Sequence, residues 1–181
     1  QREFALQVQG EGAVLLQQGS LPIAASGGVT LMGAGSAENG EMGFLYGGGG
    51  SGGISTADAL NLKEIFEQAG YTVNPAMWDY YNTGAGMGTR SLGNRRIGEQ
   101  PLSNMPADVR DVTGYSDIGV VVISRPGAEG TDMPTTTEED PDRTFLELSQ
   151  NELDLIRFAC EEAGFTQVVL LLNTMQAVEL S

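Results

Sequence analysis

The segment DIGVVVIS (117–124) constrains this chain more than any other. Val120 to Ile123 form an unbroken β-branched run. A strand that is apolar on both faces has no side to offer water, so the run predicts a central strand of a parallel sheet, covered above and below. A second such run, QVVLLLNT (167–174), follows after one helical pattern. That pattern, SQNELDLIRFACEEAGF (149–165), carries its own boundaries: Ser149 as cap, Glu152 at the third helical position and Gly164 as stop.

The same alternation appears upstream. GVTLMGAG (28–35) reads as a short strand closed by glycines. The run GGGGSGG (47–53) leads into ISTADALNLKEIFEQAGY, a helix expected to be capped at Ser55 or Thr56, to turn Leu60, Ile65 and Phe66 inward and to end at Gly70. YTVN (71–74) is the next strand, and Pro75 suits the first turn of a following helix. A short helix fits PADVRDVTGY (106–115). Residues 2 to about 17 read as an amphipathic helix with Phe4, Ala5, Val8, Leu15 and Leu16 on one face, weakened by Gly10 and Gly12. Strands alternating with helices predict a three-layer α/β/α sandwich, with a mostly parallel sheet and helices on both faces, in a single domain over 1–181. Residues 83–105 lack periodicity and are read as a long surface insertion or a poorly ordered segment. Residues 126–144 are an acidic, threonine-rich loop, and the two segments are expected to be the most mobile.

Charge narrows the function. The 24 acidic residues against 9 basic ones give a formal net charge of -15, which repels the phosphate backbone of nucleic acid and an anionic membrane surface. Neither is expected as a partner; the acid most simply confers solubility, and as a ligand a neutral or cationic small molecule fits better. The chain has no histidine, which excludes a Ser-His-Asp triad, a Cys-His pair and any histidine-based metal site built from this chain alone. No metal and no cofactor are expected. The lone Cys160 cannot form an internal disulfide, and its apolar neighbours suggest a buried small hydrophobe. No stretch approaches the ~20 apolar residues of a membrane span. The chain opens QREFALQVQ, without methionine or signal pattern, and reads as a piece of a longer protein; its single unpaired cysteine is compatible with the reducing cytoplasm, where the protein is expected.

In open parallel sheets, ligands bind at the carboxyl ends of the strands. Two loops are expected at that edge. One contains the glycine run with Gly50, Ser51 and Gly52; the other, SRPGAEGTD (124–132), contains Glu129 between small residues. The glycine run lacks the lysine of a phosphate loop, since Lys63 lies inside the next helix, so nucleotide binding is the weaker reading. Read alone, Glu129 is either a solvated carboxylate or a site residue, and Asp132 either steadies its own turn or meets a ligand hydroxyl. Arg125 is placed to pair with Glu129 or with Glu138, Glu139 and Asp140, as a surface pair of little worth. Trp78, Tyr80 and Tyr81 have helical spacing that favours the core over a stacking platform.

Taken in order, EGAVLLQQGSLPI, GGGGSGG, DIGVVVISRPGAEGTD and LSQNELDLIRFACEEAGFTQVVLLLN resemble the C-terminal α/β sandwich domain of glycoside hydrolase family 3, the β-glucosidase family, over nearly the whole chain. The resemblance implies a retaining β-glycosidase that removes terminal non-reducing sugars from β-glycosides or oligosaccharides. Its aspartate nucleophile would come from an N-terminal barrel domain. The A-E-G-T-D stretch makes Glu129 the general acid/base, with Gly50, Ser51, Gly52, Arg125 and Asp132 as substrate-binding residues. Such an enzyme needs two carboxyls ~5–5.5 Å apart, one nucleophilic and one protonated. By itself this chain is then expected to be inactive, and truncated before the family's last strand. Ala128 stands where the family pattern often has glycine, and Met133 where arginine often follows. The alternative is a non-catalytic binding or interaction domain, with the glycine-rich loop holding a nucleotide.

Overall fold

A computed structural model describes residues 2–19, 21–37, 59–92, 95–125, 132–137 and 139–180. In chain order the elements are α1 (Arg2–Gly12), β1 (Gly27–Met32), α2 (Leu62–Gln68), β2 (Tyr71–Val73), α3 (Pro75–Asn82), β3 (Ser91–Leu92), β4 (Arg95–Arg96), α4 (Ala107–Arg110), β5 (Ile118–Arg125), α5 (Gln150–Arg157) and β6 (Gln167–Thr174). β3 and β4 form a small antiparallel pair. The other strands form a four-stranded sheet in the order β2-β1-β5-β6, parallel throughout.

β5 lies between β1 and β6, and every one of its residues is buried, as its apolar faces predict. Its side chains alternate between the two cores. Val121 and Ile123 join Met32, Met77, Tyr80, Tyr81, Leu155 and Phe158 on one face. Ile118, Val120 and Val122 join Val29, Leu31, Leu62 and Trp78 on the other. The aromatic residues of α3 are therefore core residues. The chain is an α/β fold with apolar packing on both faces of a parallel sheet, and all four strands fall on the runs expected to form them.

Several local expectations are corrected. α1 stops at Gly12, and Phe4, Leu6 and Val8 are exposed rather than turned toward a core. α2 begins at Leu62, where Asn61 accepts from the Glu64 backbone N–H and the Glu64 carboxylate accepts in return from the Asn61 N–H. That reciprocal box, within ALNLKE, is a stronger start signal than an isolated serine or threonine. Ser55 and Thr56 lie outside the described residues, and Ile65 is exposed. α5 continues into a π-helical turn, Phe158–Glu162, closed at Gly164 with φ +76°. The wider turn keeps Phe158 and Ala159 inward and leaves Cys160 exposed, against the expectation of a buried thiol.

Residues 83–105 differ most from expectation. Met87, Arg90, Ile97 and Glu99 are buried, and Gly88 N–H donates to Gly98 O at 2.7 Å. A Cβ on Gly88 would lie 2.4 Å from Glu99 O. Here glycine permits two backbones to touch rather than marking a loose insertion.

Candidate functional site at the carboxyl edge of the sheet

From β1 the chain crosses to β2 on one side; from β5 it crosses to β6 on the other. The strand order therefore reverses between the neighbours β1 and β5, which is the position where parallel sheets open a crevice for ligands. The chain leaves β1 through Gly33, at φ +95°, where a Cβ would lie 2.5 Å from Val122 O of β5. Two residues on, a Cβ at Gly35 would lie 2.4 Å from Ser124 Oγ. Glycine is required at both positions because the two exits press against each other. The sequence that follows the first exit holds Gly50, Ser51 and Gly52; the sequence that follows the second holds Glu129. These four residues lie outside the described ones. Asp132, where the description resumes, is exposed.

Arg125, the last residue of β5, is fully buried. Its Nη1 and Nη2 each donate to an oxygen of Glu152 at 2.7 Å. The remaining donors go to the carbonyls of Ser124, Phe145 and Glu147. A guanidinium carries five N–H donors, and all are engaged within the protein. The expected surface pair is instead a buried bidentate one, and no donor remains for a sugar. The same Glu152 caps α5, accepting from Ser149 N–H at 2.8 Å. One carboxylate thus ties the end of β5 to the start of α5 and secures the exit of the Glu129 segment.

A second buried carboxylate, Glu99, holds the other exit. It accepts from Ala34 N–H at 2.8 Å and from the Tyr81 hydroxyl at 2.6 Å. Burial pushes its pKa up to about 8, although both hydrogen bonds oppose the rise, and Glu152 and Glu139 push the same way. Burial together with Glu99 holds the Tyr81 phenol well above its ordinary value. Arg90 lies between the two systems. It is buried, its Nη2 donates to Phe145 O at 2.9 Å, and its guanidinium lies over the Phe145 ring at 4.9 Å. Burial and the neighbouring Arg125 lower its pKa.

Sequence reasoning missed Glu99, Arg90 and Tyr81 as site-building residues and read Glu152 only as a cap. Among the described residues no cluster of three or more metal-ligating side chains occurs, and no helix is long and apolar enough to cross a membrane.

No protein-family model and no curated protein matches the chain. Solved structures do. The chain is similar to β-glucosidase 3B from Thermotoga neapolitana in complex with α-D-glucose, at 26% identity and TM-score 0.67, over 99% of this chain and 25% of that enzyme. The same enzyme in complex with glucose gives the same values. In complex with glycerol it gives TM-score 0.70 at 24% identity, over 98% of this chain and 24% of the enzyme. The chain spans about a quarter of the length of the enzyme it matches. Its resemblance to the C-terminal α/β domain of glycoside hydrolase family 3, carried in the sequence by four ordered motifs, thus extends to the fold along practically its whole length.

Proposed function

We propose that this chain is the acid/base-bearing domain of a retaining β-glycosidase. The observation that carries the reading is the contact between the two exits at the reversal of strand order. The ends of β1 and β5, after which the sequence goes on to Gly50–Ser51–Gly52 and to Glu129, touch at the edge where parallel sheets bind ligands, which supports the reading. In this reading Glu129 protonates the departing glycosidic oxygen and then removes a proton from the water that releases the sugar. A nucleophilic aspartate on a barrel domain of the same polypeptide attacks the anomeric carbon. Gly50, Ser51 and Gly52 let backbone approach the sugar, and Asp132 meets a hydroxyl or steadies the acid/base loop. Arg125 serves by fixing the root of that loop rather than by touching substrate.

The test uses the polypeptide that joins this chain to its barrel. Glu129→Ala should slow cleavage of an alkyl glycoside by about 10²–10⁴-fold, the usual worth of a positioned acid. An activated aryl glycoside needs little protonation to depart and should lose far less in the glycosylation step. Azide, a nucleophile that needs no base, should restore turnover and yield a β-glycosyl azide. Equal losses on both substrates, with no azide rescue, would remove Glu129 from the chemistry.

A further inference from the structure

The two edges of the sheet differ. β2 spans three residues and runs into the Asn74 cap and Pro75, so it offers a partner little backbone. β6 spans eight, and among the described residues only β5 pairs with it. In a parallel ladder every second residue turns its N–H and C=O to the same neighbour. Gln167 N–H donates to Asp117 O at 3.2 Å and Met175 N–H to Arg125 O at 3.0 Å, so the odd-numbered residues of β6 face β5. Val168, Leu170, Leu172 and Thr174 turn their backbone groups to the open side. Their side chains share one face of the sheet, where Leu170 is 37% and Leu172 39% exposed.

An open strand edge is ordinarily blunted by a lysine, a proline or a bulge. β6 has none of these: its eight positions pair with β5 in unbroken register, and residues 163–178 contain no charged side chain and no proline. Past Thr174 the chain turns out of the strand line, and Glu179 N–H donates to Leu146 O at 2.9 Å. A row of outward N–H and C=O groups is matched by another extended backbone. Elsewhere a net charge of -15 keeps copies of the chain apart; at this strand no charge does. The edge is also complementary to itself. Two β6 strands running antiparallel about a two-fold axis at Leu171 set Leu170 opposite Leu172 of the second copy, and Val168 opposite Thr174. All four outward residues of each copy then exchange hydrogen bonds, and the exposed leucines cover one another. A slip of one residue would set outward residues against inward ones, so the register is specified.

We propose that β6 is a self-association surface, through which two copies of this chain join edge to edge into one continuous sheet, with Leu170 of each opposite Leu172 of the other. The surface does not depend on Glu129 and goes beyond the acid/base reading.

The experiment is sedimentation equilibrium of the 181-residue chain over a concentration series. The mass should rise from 19.1 kDa toward twice that value, with a dissociation constant on the order of 10 µM, since a single pair of strands forms the contact. Added salt should tighten the dimer by screening the like charge of the two copies. Amide exchange at Val168, Leu170, Leu172 and Thr174 should slow as concentration rises. Leu170 and Leu172 are exposed, so changing them should leave the fold intact, which an unchanged urea midpoint verifies. Leu170→Lys with Leu172→Lys sets lysine against lysine twice and should weaken association about 100-fold or more. Leu170→Lys with Leu172→Glu loses the same leucines but sets each lysine against a glutamate, and should bind about tenfold better than the double-lysine variant at moderate salt. A chain that stays at 19.1 kDa up to about 1 mM would overturn the proposal and leave the edge to a strand of another kind. So would a dimer that survives both lysines unchanged, or a lysine–glutamate variant no better than the double-lysine one.

Discussion

Glu152 and Glu99 are both buried carboxylates at the carboxyl edge of one sheet, and each holds one of the two exits that flank the reversal of strand order. Their surroundings are opposite. Glu152 receives two guanidinium donors at 2.7 Å and has a second arginine, Arg90, at 3.7 Å. Glu99 has a phenol and a backbone amide, and no basic side chain pairs with it among the described residues. Burial penalises the charged form of any carboxylate; donated hydrogen bonds and a nearby opposite charge both offset that penalty, and at Glu99 the two hydrogen bonds alone do not offset it fully. The first site is therefore an ion pair whose partners depend on each other. The second is a carboxyl that keeps its proton to about pH 8. One residue type can thus anchor two adjacent loops while making only one of the anchors sensitive to pH near neutrality.

The largest expected effect lies at the ion pair. Arg125→Met should destabilise the chain by about 3–5 kcal/mol, because Glu152 is left buried without its main counter-charge. Urea unfolding would measure this as a shifted midpoint at unchanged slope. Replacing both partners by Met should recover part of the loss, since no buried charge is then stranded, with a remainder due to the lost cap. If the single change cost no more than a surface pair, the Arg125–Glu152 contact would not be the anchor described here.

At Glu99 the expected signature is a slope. The folded pKa of about 8 exceeds the ordinary 4.5, so the folded chain binds the extra proton. The stabilising contribution of this group is fully present below about pH 4.5 and is lost as pH rises through about 8. Across that window stability should fall by about 1.4 kcal/mol per pH unit. Glu99→Gln, which keeps an acceptor but cannot ionise, should flatten the slope. Denaturant midpoints collected at several pH values would test this; an unchanged slope in the variant would assign the pH dependence to other groups.

The contrast also explains what could be read in advance. The strands were legible because their cause is local: β-branched runs with apolar faces, bounded by glycine. Ser149 and Glu152 were legible as a cap for the same reason. The partner of Arg125 was not, because the nearest carboxylates in sequence are those of the adjacent acidic loop, whereas Glu152 lies on the next helix, where its spacing from Ser149 already explains it as a cap. Glu99 was hidden for a different reason. Its burial depends on Gly88 and Gly98 letting two backbones close over it, and glycine content alone reads equally well as flexibility. Glu129 carries its reading through the ordered motif alone; it lies outside the described residues, and only the neighbouring ends of β1 and β5 are described.

The smallest effect sharpens the comparison by removing the tertiary load. α2 carries the same reciprocal box as α5, with Asn61 and Glu64 in place of Ser149 and Glu152. Glu64 is exposed, and no basic partner among the described residues engages it. Its carboxylate satisfies only the Asn61 N–H, at 2.9 Å, which water can satisfy almost as well. Glu64→Ala should therefore cost about 0.5 kcal/mol, at the low end of capping effects. Glu152→Ala should cost several times more, because it strands Arg125 and Arg90 as well as the Ser149 N–H. Measured side by side by denaturant unfolding, the two substitutions separate the worth of the local motif from that of the buried charges built onto it. Equal costs would mean that the arginines add nothing to the α5 box and that the two buried carboxylates of the sheet edge do not differ in kind.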